Sequence, residues 1–138
     1  MNQVIVWLVL FFTGLFAASS QNTINIEMYN LDNNEGTIQI GLYDSEGNFL
    51  NKTFRSLEAE IVNQKSSATF QDVPDGIYAI SLYHDEDNDK ELDKFLNTIP
   101  TEDYGTSNNA PARFGPPKWK DAKFEVKNGE TITQKISL

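Results

Sequence analysis

The sequence predicts an all-β protein, an antiparallel β-sandwich of about seven short strands. Apolar residues alternate with polar residues in several separate segments, which is the pattern of strands with one buried face. Turn-forming residues separate these segments about every eight to twelve residues, and no long segment has the 3.6-residue period of an amphipathic helix. At 138 residues the chain has room for one such domain.

The chain begins with a segment typical of a secretory signal peptide. An almost unbroken apolar run occupies residues 4–18 and is followed by small and then polar residues, with Ala18 and Ser20 matching a signal-peptidase site. The run is about fifteen residues long, whereas a membrane-spanning helix needs roughly 20. We therefore expect residues 1–20 to be cleaved rather than retained as an anchor. Residues 21–138 are then one secreted or periplasmic domain without stable membrane insertion.

Seven segments carry the strand pattern. The first two alternate apolar and polar residues, and the next two are short apolar-rich runs. The fifth follows Pro74-Asp75-Gly76, a strong turn signal. The last two flank Asn128-Gly129, a hairpin signal because both central positions of that turn need a positive φ. The predicted strands are residues 24–28, 36–43, 59–62, 68–73, 77–83, 122–127 and 131–138, with Ile38, Ile40, Ile80 and Leu82 facing the core.

A long connection, residues 84–120, separates the fifth and sixth predicted strands. Loops longer than about 12–15 residues are uncommon and are usually functional or disordered. This connection is rich in aromatic residues, glycine and proline, whereas disordered segments are poor in aromatics. We therefore expect an ordered excursion packed on the sandwich. Residues 90–96 alone have a pattern that would form a helical turn.

Two resemblances to known families support the same fold. Residues 70–82 resemble the strand-turn-strand signature of prealbumin-like and immunoglobulin-like sandwiches. Residues 84–93, 99–108, 114–117 and 121–122, with the preceding strand, resemble the bacterial family called domain of unknown function 2141, DUF2141. This second resemblance covers nearly all of residues 21–138 and implies an exported β-sandwich with no assigned activity. Lys90 and Thr98 stand where the family pattern has Gly.

Residues 85–93 are the best candidate for a binding site. They contain six acidic residues and one basic residue, and five of the acids stand at every second position. Calcium is bound by about six to eight oxygens, and a loop can supply carboxylates from its first, third and fifth positions, a carbonyl from its seventh and a carboxylate from its ninth. The predicted ligands are Asp85, Asp87, Asp89, Glu91 through its carbonyl, and Asp93.

Two features depart from the usual calcium loop. The sixth position normally takes Gly because the turn there is sharp, and here it is Lys90. The twelfth position is Leu96, so the bidentate Glu of an EF-hand is missing. The alternative is a solvated acidic loop that holds no ion. Carboxylate oxygens are hard ligands, so zinc and copper are not expected.

Composition excludes several classes of function. The chain has 20 acidic and 11 basic residues and a net charge of −9, which argues against a nucleic-acid partner. It has no cysteine, so neither disulfide bonds nor lipidation of an N-terminal cysteine can support or anchor it. A small exported domain of this kind depends on its core packing and on any ion that it binds.

Other candidate residues lie in the same excursion. His84 with Ser107 invites a hydrolase interpretation, but the sequence has no motif that would place a nucleophile on a defined turn. Glu102, Ser107 and Asn108 match positions of the family motifs, and they could equally satisfy backbone groups. The aromatic residues that could form a platform for a sugar, or simply pack the excursion, are Tyr104, Phe114 and Trp119.

These observations predict a non-catalytic binding or structural module that is secreted or lies in the cell envelope. Its ligand is unassigned, with a glycan as one candidate, and calcium would stabilise it through the loop. A carbohydrate-binding module that uses aromatics of residues 95–119 is the first alternative. A small hydrolase that uses His84 is the second.

Overall fold

The computed structural model describes residues 21–91, 94–95, 99–100 and 102–138. The predicted signal peptide lies outside these residues. The strands are β1 (Gln21–Tyr29), β2 (Thr37–Tyr43), β3 (Arg55–Ala59), β4 (Ser66–Pro74), β5 (Gly76–Asp85), β6 (Lys94–Phe95), β7 (Ile99–Pro100), β8 (Tyr104–Thr106), β9 (Phe124–Val126) and β10 (Thr131–Ser137). A 3₁₀ turn at Ser107–Asn109 and a short helix, α1 (Trp119–Ala122), complete the described elements.

The first sheet has the strand order β10-β1-β4. β1 pairs antiparallel with β4, with a register shift between Asn22 and Ile24. β1 pairs parallel with β10, so that Thr23 lies opposite Thr131 and Tyr29 opposite Ser137. This parallel pair departs from the all-antiparallel arrangement that the sequence predicts.

The second sheet has the order β3-β2-β5-β8, and β9 pairs with the first residues of β5. β5 is its central strand, because β2 lies along one side while β8 and β9 occupy different stretches of the other side. The register places Thr37 opposite Asp85 and Tyr83 opposite Tyr104. Residues 85–93, here called the acidic loop, therefore begin where the central strand ends.

One core lies between the two sheets, so the predicted all-β sandwich is confirmed. Alternate residues of the strands point inward, and the four residues expected in the core, Ile38, Ile40, Ile80 and Leu82, are buried. The fully buried apolar side chains of this cluster include Ile24, Ile26, Met28, Phe70 and Ile136 from the first sheet, and Ile38, Leu42, Ile80, Leu82 and Val126 from the second.

Three local predictions are wrong. The third strand occupies Arg55–Ala59 rather than residues 59–62, because Leu57 and Ala59 are its inward positions while Val62 is exposed and forms only an isolated bridge to Lys65. The sixth strand is Phe124–Val126, because Ala122 ends α1. No helical turn forms in the described part of residues 90–96, where Lys94 and Phe95 pair with β7 instead.

The Asn128-Gly129 turn forms, but it does not make a hairpin. Asn128 has φ 61° and Gly129 has φ 70°, as the sequence signal requires, and the N–H of Glu130 donates to the carbonyl of Lys127 at 3.2 Å. β9 then pairs with β5 in one sheet, and β10 pairs with β1 in the other. The turn thus carries the chain from one layer to the other, a path that a local signal cannot distinguish from a hairpin.

The excursion after β5 is ordered in its described residues, as predicted. β8, the 3₁₀ turn and α1 lie against β5 and β10. Neither helical segment among the described residues has the length or apolar character needed to cross a bilayer.

Candidate functional site

The acidic loop begins at Asp85, the last residue of β5, and brings three carboxylates together. Asp85, Asp87 and Asp89 each offer an oxygen, and these oxygens all lie within 4.8 Å of one another. Asp85 is fully buried, whereas Asp87 and Asp89 are exposed. The first, third and fifth positions of the predicted calcium loop are therefore clustered around one point.

The loop's own backbone holds these carboxylates in place. Asp85 accepts hydrogen bonds from the N–H of Asp89 on Oδ1 (3.2 Å) and from the N–H of Lys90 on Oδ2 (2.9 Å). Asp87 Oδ1 accepts from the N–H of Asp89 at 3.3 Å, and Asp89 Oδ1 accepts from the N–H of Glu91 at 2.8 Å. The backbone therefore curls around the acidic side chains and leaves their remaining lone pairs available to other partners.

Lys90 adopts the conformation that Gly normally provides at the sixth position. Its φ is 62°, and that of Asn88 is 55°. A left-handed conformation costs a residue with a side chain about 1–2 kcal/mol. The Lys90 ammonium lies 3.8 Å from Glu58 Oε2, and both groups are exposed. Lys90 in place of Gly thus keeps the sharp turn, and its left-handed backbone costs conformational free energy.

The electrostatics of the loop are those of uncompensated negative charge. Burial raises the pKa of Asp85, the backbone N–H of Lys90 opposes this rise, and the neighbouring Asp87 and Asp89 add to it. Burial also raises the pKa of Tyr83 to about 12, with further contributions from the charges of Asp85, Glu102, Asp89 and Glu91. A cation at this position would lower the pKa of both groups, because it would favour their ionised forms.

Thr37, the first residue of β2, and Gly36 before it support the base of the loop. Thr37 Oγ1 donates a hydrogen bond to Asn88 Oδ1 at 3.2 Å. Gly36, with φ 68°, lies directly against the backbone of Asp85 and Glu86. The sequence pattern predicts Gly36 at the start of a strand and does not indicate its contact with the acidic loop, because the contact joins residues that are far apart in the chain.

His84 lies on the inward face of β5, opposite Ile38, and is fully buried. Its Nε2 donates to the carbonyl of Glu35 at 2.5 Å, since a carbonyl can only accept, and its Nδ1 lies 3.8 Å from Glu86 Oε1. The imidazole therefore connects two loops at one end of the sandwich and has no exposed surface.

Ser107 is far from His84 and is occupied by backbone groups. Its Oγ accepts from the N–H of Ile80 at 2.9 Å and donates to the carbonyl of Ala122 at 2.6 Å. Ile80 is four residues before His84 on the same strand, a separation of about 13 Å. The two residues of the hydrolase interpretation are thus not brought together.

Asn108 also satisfies backbone groups. Its Nδ2 donates to the carbonyls of Asp121 (3.2 Å) and Lys123 (2.9 Å), and its own N–H donates to Gln134 Oε1 at 3.0 Å. Together with Ser107 it fixes the excursion to α1, β5 and β10. Their positions in the family motifs thus coincide with structural contacts.

The remaining candidates are dispersed. Glu102 is buried, and it contributes to the field at Tyr83. Tyr104 is half-buried in β8. The Trp119 ring packs edge-on against Phe49 with a centroid distance of 5.8 Å, whereas Phe114 is completely exposed. Asp93, the ninth position of the predicted calcium loop, lies outside the described residues, as do Leu96 and Thr98.

An acidic pair near His84 was not singled out by sequence reasoning. Burial raises the pKa of Asp103, and a hydrogen bond with Asp32 and the charges of Asp32 and Glu86 raise it further, while His84 lowers it. The backbone N–H of His84 also donates to the carbonyl of Asp103 at 2.8 Å. Nothing local in the sequence indicates that these residues meet, since Asp32 and Asp103 belong to different turns.

Comparisons with known proteins give one match. A family model described as "Uncharacterized protein conserved in bacteria (DUF2141)" matches residues 26–134. No curated protein and no solved structure matches the chain. The prealbumin-like or immunoglobulin-like form of the sandwich therefore stays a prediction.

Proposed function

We propose, from the premise that this chain belongs to the DUF2141 family of uncharacterized bacterial proteins, that it is an exported, non-catalytic binding or structural module stabilised by calcium. The carboxylate cluster of Asp85, Asp87 and Asp89, with oxygens within 4.8 Å of one another, carries the proposal. Oxygen ligands of this hardness suit calcium better than zinc or copper.

The left-handed Lys90 supports the calcium assignment. The chain tolerates an unfavourable backbone conformation at the position where a calcium loop turns most sharply. Burial is the main cause of the raised pKa of Tyr83, and the charges of Asp85, Asp89 and Glu91 in the loop add to it, so the loop is a negative environment that favours a cation. A weak site, with a dissociation constant on the order of 10⁻⁴–10⁻³ M, is sufficient in an extracellular setting.

The non-catalytic part of the proposal draws on His84 and Ser107. The imidazole is buried and bonded to a backbone carbonyl, and the Ser107 hydroxyl is buried between two backbone groups. Export is proposed on the apolar segment at residues 4–18. The mass of the protein recovered from the cell envelope tests this step, since cleavage after Ser20 removes residues 1–20.

Calorimetric titration tests the calcium site directly. We expect calcium to bind once per chain and magnesium to bind more weakly, because magnesium needs a tighter octahedral arrangement and loses water reluctantly. Asp89→Asn should abolish binding, since it removes one charge while keeping an oxygen for the Glu91 N–H. Asp72→Asn, at another exposed acid outside the acidic loop, is the matched control. Binding that survives Asp89→Asn would exclude this site.

A further inference from the structure

Residues 113–123, here called the basic loop, carry a charge opposite to that of the rest of the chain. They contain four of the 11 basic residues of the sequence, Arg113, Lys118, Lys120 and Lys123, and one acid, Asp121. Their net charge is +3, whereas the whole chain carries −9. All four basic residues are exposed.

Phe114 lies in the exposed first part of this loop. Its relative exposure is 110%, the largest among the exposed large hydrophobic residues of the described structure. Its φ is 59°, a conformation that is unfavourable for a bulky side chain, and Gly115 follows with φ 145°. The chain thus holds an apolar ring in water through a strained backbone, and such strain is concentrated at functional sites.

The base of the basic loop is firmly attached to the sandwich. Pro117 and Ala122 are buried, and the Trp119 ring packs against Phe49 in a cluster that includes Ala79 of β5. The carbonyl of Ala122 accepts the hydrogen bond of Ser107. The segment that carries Phe114 is therefore held on the sandwich both by apolar packing and by a hydrogen bond.

We propose that the basic loop docks the protein on an anionic lipid bilayer, with Phe114 inserted among the acyl chains and Arg113, Lys118 and Lys120 at the phosphates. Basic side chains beside an exposed apolar ring match the charge and the layering of such a surface. A glycan is a poorer fit, because the phenyl ring has no polar atom, whereas Tyr and Trp combine a ring with a hydrogen-bonding group.

The acidic loop does not prevent this contact. Ala79, where the cluster of the basic loop packs on β5, is six residues from Asp85, or about 20 Å along the strand. The Debye length is about 8 Å at physiological ionic strength, so the repulsion between the acidic loop and the bilayer is largely screened. The docking surface is therefore separate from the proposed calcium site, and docking does not depend on calcium.

Vesicle titration of the exported protein in chelator tests the proposal. Trp119 is the only tryptophan in residues 21–138 and reports binding through its fluorescence. Vesicles of phosphatidylethanolamine with phosphatidylglycerol are compared with vesicles of phosphatidylcholine alone, and cosedimentation gives the bound fraction. The mass of the protein is measured first, because a retained apolar segment at residues 1–20 would itself bind lipid.

Four variants separate docking from general adhesion. Phe114→Ser should weaken binding to the anionic vesicles by at least about tenfold, since it removes a large apolar side chain. Its control is Val62→Ser, at another exposed apolar residue. Lys118→Glu with Lys120→Glu should weaken binding by at least about 25-fold, because each base contributes roughly fivefold. Lys52→Glu with Lys65→Glu makes the same change in net charge elsewhere and should retain most of the affinity.

The expected result is binding that prefers the anionic vesicles and decreases with added salt. Phe114→Ser should weaken this binding by the stated factor, and Val62→Ser should not. Equal binding by Phe114→Ser and the unchanged protein would overturn the proposal, and so would equal binding to both kinds of vesicle. Self-association that Lys118→Glu with Lys120→Glu abolishes, without vesicle binding, would assign the basic loop to the acidic surface of a second copy instead.

Discussion

Gly36 and Asp85 are in backbone contact at the base of the acidic loop. A Cβ on Gly36 would collide with the carbonyl oxygen of Asp85 and would lie 2.8 Å from the Cα of Glu86. Gly36 also has φ 68°, where a side chain is unfavourable. The geometry of the acidic loop therefore depends on a residue that is distant in the chain. The neighbouring contact, from Thr37 to Asn88, likewise joins residues 51 positions apart.

We expect Gly36→Ala to destabilise the protein and to weaken calcium binding together. The left-handed φ alone costs more than about 1 kcal/mol, and the collision with Asp85 must be relieved by moving the loop. Urea unfolding and calcium titration measure the two effects. Gly47→Ala is the control, since no atom lies within 4 Å of a Cβ at that position. Unchanged calcium affinity in Gly36→Ala would show that the loop does not rest on this contact.

Calcium should raise the melting temperature of the domain. At a calcium concentration one hundred times the dissociation constant, the folded state gains about 2.7 kcal/mol, which corresponds to roughly 8–12 °C for a domain of this size. Differential scanning calorimetry measures the shift. Magnesium should raise the melting temperature less, and sodium chloride at matched ionic strength less again, because screening is not specific. Equal shifts with calcium and sodium chloride would support the solvated acidic loop without an ion.

Asp85 and Asp87 should differ in their effect on stability in chelator. The sequence alone suggests that each only repels its neighbours, but Asp85 is buried and accepts two backbone hydrogen bonds. Asp85→Ala should therefore cost about 1–3 kcal/mol even without calcium, because the N–H of Lys90 loses its acceptor and the N–H of Asp89 keeps only Asp87 Oδ1. Asp87→Asn should change the melting temperature in chelator little and should remove most of the calcium effect. Equal melting temperatures for both variants in chelator would contradict the distinction.

Acidification should favour the folded state through Asp103. Its folded pKa is raised above the ordinary value of 3.8, by burial and by Asp32 and Glu86, against the effect of His84. The Asp103 carboxyl therefore binds its proton more tightly in the folded state than in the unfolded state. This difference stabilises the fold fully below about pH 3.8, and the stabilisation is lost as the pH rises through the folded pKa.

The variant Asp103→Asn isolates this effect. It should be more stable than the unchanged protein at pH 7, by up to about 1 kcal/mol, because an amide does not repel Asp32. The advantage should shrink as the pH falls toward 4. Urea unfolding in chelator at several pH values measures it. An advantage that grows on acidification would show that Asp103 acts with the opposite sign.

The core register predicts the cost of two isoleucine substitutions on β5. Ile80 is fully buried, and Ile80→Ala should cost about 2–5 kcal/mol as a large-to-small change. Ile77 on the same strand is 47% exposed, and Ile77→Ala should cost much less. Denaturant unfolding compares the two directly. Similar losses would mean that the register of β5 is not as described.

The alternation of apolar and polar residues is sufficient to predict the sandwich and the inward face of β2 and β5. The spacing of the acidic residues in the acidic loop predicts the carboxylate cluster. β3 was misplaced because its inward positions are only Leu57 and Ala59, so that the period-two signal is weak. Partners distant in the chain could not be predicted from the pattern. The contact of Gly36 with Asp85, the insertion of Ser107 between Ile80 and Ala122, and the parallel alignment of β1 with β10 depend on the tertiary path.

That parallel alignment also constrains the order in which the molecule can be assembled. The N–H of Glu130 donates to Asn22 Oδ1 across a separation of 108 residues. Glu130 directly precedes β10, which pairs with β1. A chain that emerges with its N-terminus first can join β1 to β4 early, but β1 keeps one open edge until β10 is released. Such long-range closure is slow compared with local pairing. The nascent chain therefore stays incomplete, and open to capture by other strands, until nearly all of it has been delivered.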